Sequence, residues 1–371
     1  MKVVIITGAS GFIASAICVD LVKDYHVVAI DRREPSRVLR ESASSAIWAV
    51  QDISDESSLR DTFTATKERF GLISVVIHFA AFCHFGRDWH PEYQSTNIDG
   101  TAKLISIASE LGASRIIFAS SIAAMEPPAP GTSLTTESPA CDLIPYATPK
   151  RLGEELLRKA RCSVPSVILR IGGVFSDWCE LPPLHSLIRY WTSRGPLGRV
   201  VPGRGQSGIP YIHRSDLVSL VRKVISKDKE LGEFEIFLAS QNGSVSHNQL
   251  FPIVRHVATN SPIPKPIYVH PTVAKIGLYA KCAHGKLTGH MPYERPWMLA
   301  YVDRPWEVDT TRTQTTLDWD CTSDKGILDR LPMIIQNKIA HPEIWEERNV
   351  LRNEGRYSYY DDLNSSSYGR V

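Results

Sequence analysis

The sequence predicts an α/β fold built on a parallel sheet, and three observations predict it. Residues 2–7 (KVVIIT) are apolar and β-branched on both faces, as a strand covered on both sides must be. A glycine turn (residues 8–14) follows at once and opens a helical pattern of Ile13, Ala16, Ile17 and Leu21. Further short apolar runs recur at 26–30, 46–50, 73–79 and 115–119, with helices expected after Ser54 and over 92–110.

In the turn, Gly8 permits the tight bend, and Gly11 lets backbone amides approach a pyrophosphate at the helix N-terminus. Ala14 stands where a small residue lets helix pack on strand. The second strand ends in Asp31-Arg32-Arg33. An acidic residue there can bond ribose hydroxyls and repel a 2′-phosphate, which favours NAD; the two arginines could welcome that phosphate, which leaves NADP open. After the third strand, Asp52 is read either as a contact to an adenine amino group or as the cap of the next helix. The fourth strand runs into His78-Phe79-Ala80-Ala81, where small residues let a flat ligand near the backbone and His78 reads as a core residue. Gly100, inside the 92–110 helix, signals close packing. The fifth strand ends in Ser120-Ser121, hydroxyls at the sheet edge where open α/β sheets bind ligands. His84, Arg87 and Trp89 are read equally as substrate contacts or as a surface loop.

A loop rich in Pro, Ser and Thr then reaches Tyr146-Ala147-Thr148-Pro149-Lys150. A tyrosine and a lysine four apart share one helix face. A phenol with a pKa of about 10 is a poor acid–base catalyst near neutrality, and a neighbouring ammonium draws that value down. Pro149 fits only a first helical turn, so the helix should begin close to Tyr146.

Composition narrows the field. With 42 basic and 40 acidic residues in 371, the net charge of +2 makes no electrostatic case for nucleic acid or an anionic membrane. The seven cysteines are scattered without a CxxC, which argues against a zinc site or a disulfide framework and fits a reducing compartment. No signal-peptide pattern precedes the first strand, and no apolar run approaches the ~18 residues of a membrane span, so the expectation is cytoplasmic.

The run TGASGFIA, Asp31, Asp52-Ile53, HFAA, NIDGT, ASS and YATPK, in this order, resembles the extended short-chain dehydrogenase/reductases. More narrowly it is similar to the NAD-dependent epimerase/dehydratase family, and residues 169–175 and 211–217 also match that pattern. The resemblance implies a doubly wound parallel Rossmann-type sheet with a smaller, discontinuous C-terminal substrate-binding lobe. Residues 1–170 would form the NAD(P)-binding domain, with segments near 205–240 returning to it. Residues 171–350 would be mainly lobe, and 351–371 a flexible tail. Tyr146 would be the general acid/base, Lys150 would bind the nicotinamide ribose and lower the tyrosine pKa, and Ser121 would bond the substrate oxygen. Asn97 would lie near the cofactor or order the catalytic helix. Gly8, Ser10, Gly11, Phe12, Ile13, Asp31, Arg32, Asp52, Ile53, Phe79, Ala80, Ala81 and Ile171 would complete the cofactor contacts. Family members often dimerise through the helices holding Asn97 and Tyr146.

Gly172-Gly173 stands where nucleotide-sugar enzymes usually show an aromatic and an Asn. On that ground, and on the aromatic C-terminal segment, the leading expectation is an NAD(P)-dependent oxidoreductase interconverting a secondary alcohol and a ketone on a small or lipophilic metabolite. The alternatives are a nucleotide-sugar epimerase or dehydratase that recycles NAD internally, and a non-catalytic dinucleotide sensor. In the second half, Asp216 is read as a helix cap, Asp309 or Thr310 as another, and 341–349 as a closing helix. Residues 270–305, with Lys275, Lys281, Trp297 and Tyr301, and with Trp306 following, are read first as a small helical core, and second as an apolar pocket or a dock against a membrane face.

Overall fold

The computed structural model describes residues 1–83, 88–259, 265–288 and 292–350. His84, Arg87 and the tail from Arg352 lie outside the described residues, as does the Trp297 side chain. Six strands, β1 (Val3–Thr7), β2 (His26–Asp31), β3 (Ile47–Val50), β4 (Val75–His78), β5 (Ile116–Ser121) and β6 (Ser166–Ile171), join the edge strand Phe234–Ala239 in one sheet. The order is edge strand, β6, β5, β4, β1, β2, β3, and every pairing is parallel. The chain runs outward from β1 to β3 and then crosses to β4 on the far side of β1. That reversal opens a crevice at the carboxyl ends of β1 and β4.

Side-chain alternation splits the core between two faces. Val4 and Ile6 pack with helix α1 (Ala14–Leu21) and the helix Arg214–Ser226. Ile5 turns the other way, toward α3 (Glu56–Phe70), α4 (Thr101–Glu110) and α5 (Ala147–Ala160). α2 (Arg37–Ser42) sits beside α1. The helix expected over 92–110 is α-helical only from Thr101. Tyr93–Gly100 is wound as a π-helix, a rare form often found at functional sites, and Gly100 lies against the Ile53 side chain.

A separate core of Phe175, Trp191, Tyr211, Phe251, Ile334 and Trp345 holds the second lobe. Its helices Pro182–Trp191, His247–Thr259, Ile327–Ala340 and Pro342–Val350 are interrupted in sequence by the helix and strand that return to the main sheet. The closing helix is locked by Arg348, whose guanidinium bonds the fully buried Glu180 carboxylate at 2.9 Å. Thr310 takes the N-cap position of Thr311–Leu317, one of the two positions expected, but makes no side-chain cap bond; Asp309, one residue earlier, accepts from the Thr311 amide.

Two expectations are corrected here. Asp216 is no cap. It lies inside its helix, which His213 caps, and it accepts from the Thr322 amide and hydroxyl. The 270–305 segment does not form the lobe core. Helix Pro271–Thr288 leaves Val273, Ile276, Tyr279 and Leu287 exposed, because residues 327–345 already fill the interior.

Candidate active site

The glycine turn lies at the crevice because β1 delivers it there. Gly8 has φ +73°, and a Cβ on it would stand 2.7 Å from the Ala80 backbone nitrogen at the exit of β4. Gly11 closes the turn by donating its amide to the Gly8 carbonyl at 2.8 Å. Helix α1 then starts with no side-chain cap and no acidic residue in its first turn. Its positive end is not neutralised by its own side chains, which suits a pyrophosphate. Asp31, buried at the end of β2, accepts from the Ser10 amide and the Arg33 amide, each at 2.9 Å. Its carboxylate therefore staples the glycine turn to the second strand. Arg32 reaches away to Glu92 at 2.6 Å. Asp52 accepts from the Ser54 amide at 2.8 Å, and the cap of α3 is Asp55, so the capping reading of Asp52 is corrected. Phe12, Ile53 and Ile171 are buried, while Phe79, Ala80 and Ala81 follow β4 toward the crevice. Asn97 clamps the chain beyond them: it accepts from the Phe82 amide at 2.7 Å and donates to the Phe82 carbonyl at 2.8 Å.

His78 couples these pieces. The Thr101 hydroxyl donates to the Asn97 carbonyl at 2.6 Å, so its oxygen is left to accept from His78 Nε2–H. Nδ1 must then accept from the Thr7 hydroxyl, 2.7 Å away. The ring is a neutral core group, as expected, and burial pushes its pKa from 6.5 down to about 3, with Lys150 adding to the effect. The sign follows. Between pH 6.5 and about 3 the unfolded chain takes up a proton that the folded ring refuses, so stability falls on acidification across that window. At pH 4.5 the loss from this one group should be about 3 kcal/mol. Urea unfolding of wild type and His78→Asn at pH 7 and pH 4.5 measures it; equal acid losses in both proteins would exclude His78 as the source.

The Tyr146–Lys150 pair sits where β5 ends. Tyr146 precedes α5 and Pro149 falls in the first turn, as its geometry requires. Both Tyr146 and Lys150 are buried. The Ser121 hydroxyl hydrogen-bonds the Tyr146 phenol and also accepts from the Ala123 amide at 3.1 Å. Ser120 points elsewhere and donates to Glu154 at 2.5 Å. Lys150 donates to the Ala119 carbonyl at 2.7 Å, 5.4 Å from the Phe118 ring. The expected lowering of the phenol pKa by Lys150 is not seen. Burial pushes the phenol above its ordinary value, Cys83 adds to this, and the Ser121 bond acts in the opposite direction. Burial also takes Lys150 down to about 8. Desolvation outweighs the pairing because the ammonium is spent on a backbone carbonyl.

Three residues at the site escaped sequence reading. Cys83, exposed just after the HFAA strand, is close enough to Tyr146 and Lys150 to act electrostatically on both. Tyr293, half-buried, comes from the segment before Pro296–Tyr301 and feels the same thiol. Arg214, buried, places its guanidinium 4.8 Å from the Phe12 ring centroid in the glycine turn. An arginine opening a helix between His213 and Asp216 was the one available signal. Gly173 also gains a reason: a Cβ there would stand 2.9 Å from Leu181 and 3.0 Å from Ile209. Its bareness reports close packing against residues of the second lobe.

The family model of the NAD dependent epimerase/dehydratase family matches residues 4–239. A protein of Bacillus subtilis named an uncharacterized UDP-glucose epimerase is 27% identical over 252 residues, 62% of this chain and 74% of its own. The UDP-glucose 4-epimerase of Erwinia amylovora is 30% identical, over 45% of this chain and 52% of its own. The mouse (Mus musculus) dTDP-D-glucose 4,6-dehydratase is also 30% identical, over 61% and 65%. The chain thus spans between half and three quarters of these relatives. Among solved structures, the Thermotoga maritima UDP-glucose 4-epimerase with UDP-glucose superposes at TM-score 0.68 (19% identity, 92% of this chain, all of that one). The Bacillus anthracis dTDP-glucose 4,6-dehydratase in complex with NAD superposes at 0.69 (15% identity, 94% and 100%). These structures share the doubly wound fold. The chain belongs to the NAD dependent epimerase/dehydratase family, and it is an enzyme of the extended short-chain dehydrogenase/reductase type.

Proposed function

We propose that this enzyme is a nucleotide-sugar epimerase that recycles its NAD within each turnover. The observation that carries the reading is the Tyr146–Ser121 hydrogen bond at the carboxyl edge of β5, in a chain whose relatives include UDP-glucose 4-epimerases. It displaces the broader alcohol–ketone oxidoreductase of the sequence reading. Gly173 had spoken for that reading, and close packing now accounts for it. A lipophilic substrate has no support among the relatives.

NAD, when bound, would supply the hydride chemistry at the sugar carbinol carbon. The protein's residues do the rest. The turn from Gly8 to Ile13 would receive the pyrophosphate, and Asp31 would bond the adenosine ribose and disfavour a 2′-phosphate. Asp52 and Ile53 would flank the adenine, and Lys150 would hold the nicotinamide ribose. Tyr146 takes the hydroxyl proton as the carbonyl forms and gives it back on return, while Ser121 holds the oxygen and stabilises its developing charge. One acid–base group suffices for epimerisation. A dehydratase needs a second, to expel water. The residues after Ser121 are Ile122, Ala123 and Ala124, none of them acidic. The seven cysteines, scattered without a CxxC, favour a reducing, cytoplasmic setting. A homodimer through the helices carrying Asn97 and Tyr146 belongs to the same proposal.

The test is to denature the purified enzyme, assay the released nucleotide, and incubate the native enzyme with UDP-glucose. Retained NAD with formation of UDP-galactose supports the reading. An empty site that exchanges NADH freely and interconverts no nucleotide sugar sinks it. Within the site, Ser121→Ala should lower turnover about a hundredfold. Ser120→Ala should instead lower stability, because it removes a bond to Glu154; the reverse order in a kinetic and melting comparison would reassign the roles.

A further inference from the structure

Helix Pro271–Thr288 carries an apolar stripe on the side facing away from the lobe. Its buried Cys282 and half-buried Leu278 and Lys281 turn inward. There Lys281 approaches Glu294 at 3.6 Å and lies 4.1 Å over the Tyr190 ring. At about 100° per residue, Val273, Ile276, Ala280, Ala283 and Leu287 align on the opposite side. Val273 is 60% exposed, Ile276 69% and Leu287 87%. Tyr279, Lys275 and Lys286 flank the stripe, also exposed. The helix contains three lysines and one histidine, and no acidic residue. The strand Ile267–Val269 just before it adds exposed Ile267 and Tyr268.

Charge selects the occupant. A second copy laid along this stripe would set lysines against lysines, with no carboxylate on the helix to pair them. Its area is also small. Eighteen residues span about 27 Å and present about 300 Å² on one side, against the ~800 Å² per partner of a stable interface. Anionic headgroups, by contrast, neutralise the lysines while the stripe enters the acyl boundary, and Tyr279 suits the headgroup level. The small net charge of the whole chain is no obstacle, because screening limits each surface charge to about 10 Å. Among the described residues no helix is long and apolar enough to cross a membrane, so the helix would lie in the surface. We propose that Pro271–Thr288 is an interfacial anchor that docks the enzyme on an anionic lipid bilayer, with Val273, Ile276 and Leu287 inserted and Lys275 and Lys286 at the phosphates.

The test is co-sedimentation of the full chain with vesicles of phosphatidylcholine alone and of phosphatidylcholine with about one third phosphatidylserine, at ~0.1 M salt. Binding to the anionic vesicles should exceed that to the neutral ones at least about tenfold, and Ile276→Glu with Leu287→Glu should abolish it. Lys275→Gln with Lys286→Gln should remove the preference for anionic lipid. All four side chains are exposed, so NAD content and thermal melting should stay at the wild-type level and report an intact fold. Wild type that stays in solution with both vesicles overturns the proposal, as does equal binding by the double-glutamate variant. A wild-type dimer in sedimentation velocity that the double-glutamate variant splits, with no vesicle binding, would assign the stripe to a second copy instead.

Discussion

Tyr146→Phe is expected to lower turnover by about a thousandfold or more and to leave NAD content unchanged. The substitution removes one oxygen and keeps the ring that fills the pocket beside Tyr93, Ala124 and Ile144. The lost oxygen is the group that interacts with Ser121, and it is the one to which the proposed reading assigns the proton that leaves the substrate hydroxyl. Ser121 would then have no phenol to work with and could still orient the substrate, so KM should change far less than kcat. Single-turnover kinetics with nucleotide analysis of the denatured enzyme separates the two effects. A variant that keeps near-normal turnover would remove Tyr146 from the chemistry, and one that loses its NAD would mean the phenol holds the cofactor instead.

Glu154→Ala should cost about 3–5 kcal/mol of folding free energy. Glu154 stands one turn beyond Lys150 on α5 and is the anion for a buried cluster. Arg170 of β6 grips it with two nitrogens, at 3.1 and 2.8 Å, and Ser120 donates to it at 2.5 Å. The same guanidinium bonds the Ser138 carbonyl at 2.6 Å, so the cluster ties α5, β5, β6 and the preceding loop together. Removing the carboxylate strands a guanidinium with 4% side-chain exposure. A cavity of about 420 Å³ bordered by Glu154 and Arg170 admits water, which argues for the lower end of the range. The neighbouring Arg151–Glu155 pair is a control: with 25% and 47% side-chain exposure, it should be worth under about 1 kcal/mol. Denaturant unfolding of Glu154→Ala and Glu155→Ala decides, and similar small losses for both would show that the buried pair does not hold α5 in place.

The sequence by itself determined whatever depends on near neighbours along the chain. Strand, glycine turn and helix at residues 3–21 follow from apolar pattern and glycine geometry, and so does the start of α5 near Tyr146, since Pro149 tolerates only a first turn. His78 could be read as a core group because it lies in a strand buried on both faces. Only the tertiary structure decided what depends on residues far apart. Burial raises the Tyr146 phenol although a lysine stands four residues away, because Lys150 is spent on Ala119, 31 positions earlier. Asp52 yields the cap of α3 to Asp55 through a difference of three positions that pattern does not resolve. Gly173 is bare because Leu181 and Ile209 close on it. Helix Pro271–Thr288 has the apolar pattern of a core helix, yet it lies outside, because Leu331, Ile334 and Trp345 had already filled the lobe. Local pattern states that a face is apolar, and the space left by the rest of the chain settles what that face meets.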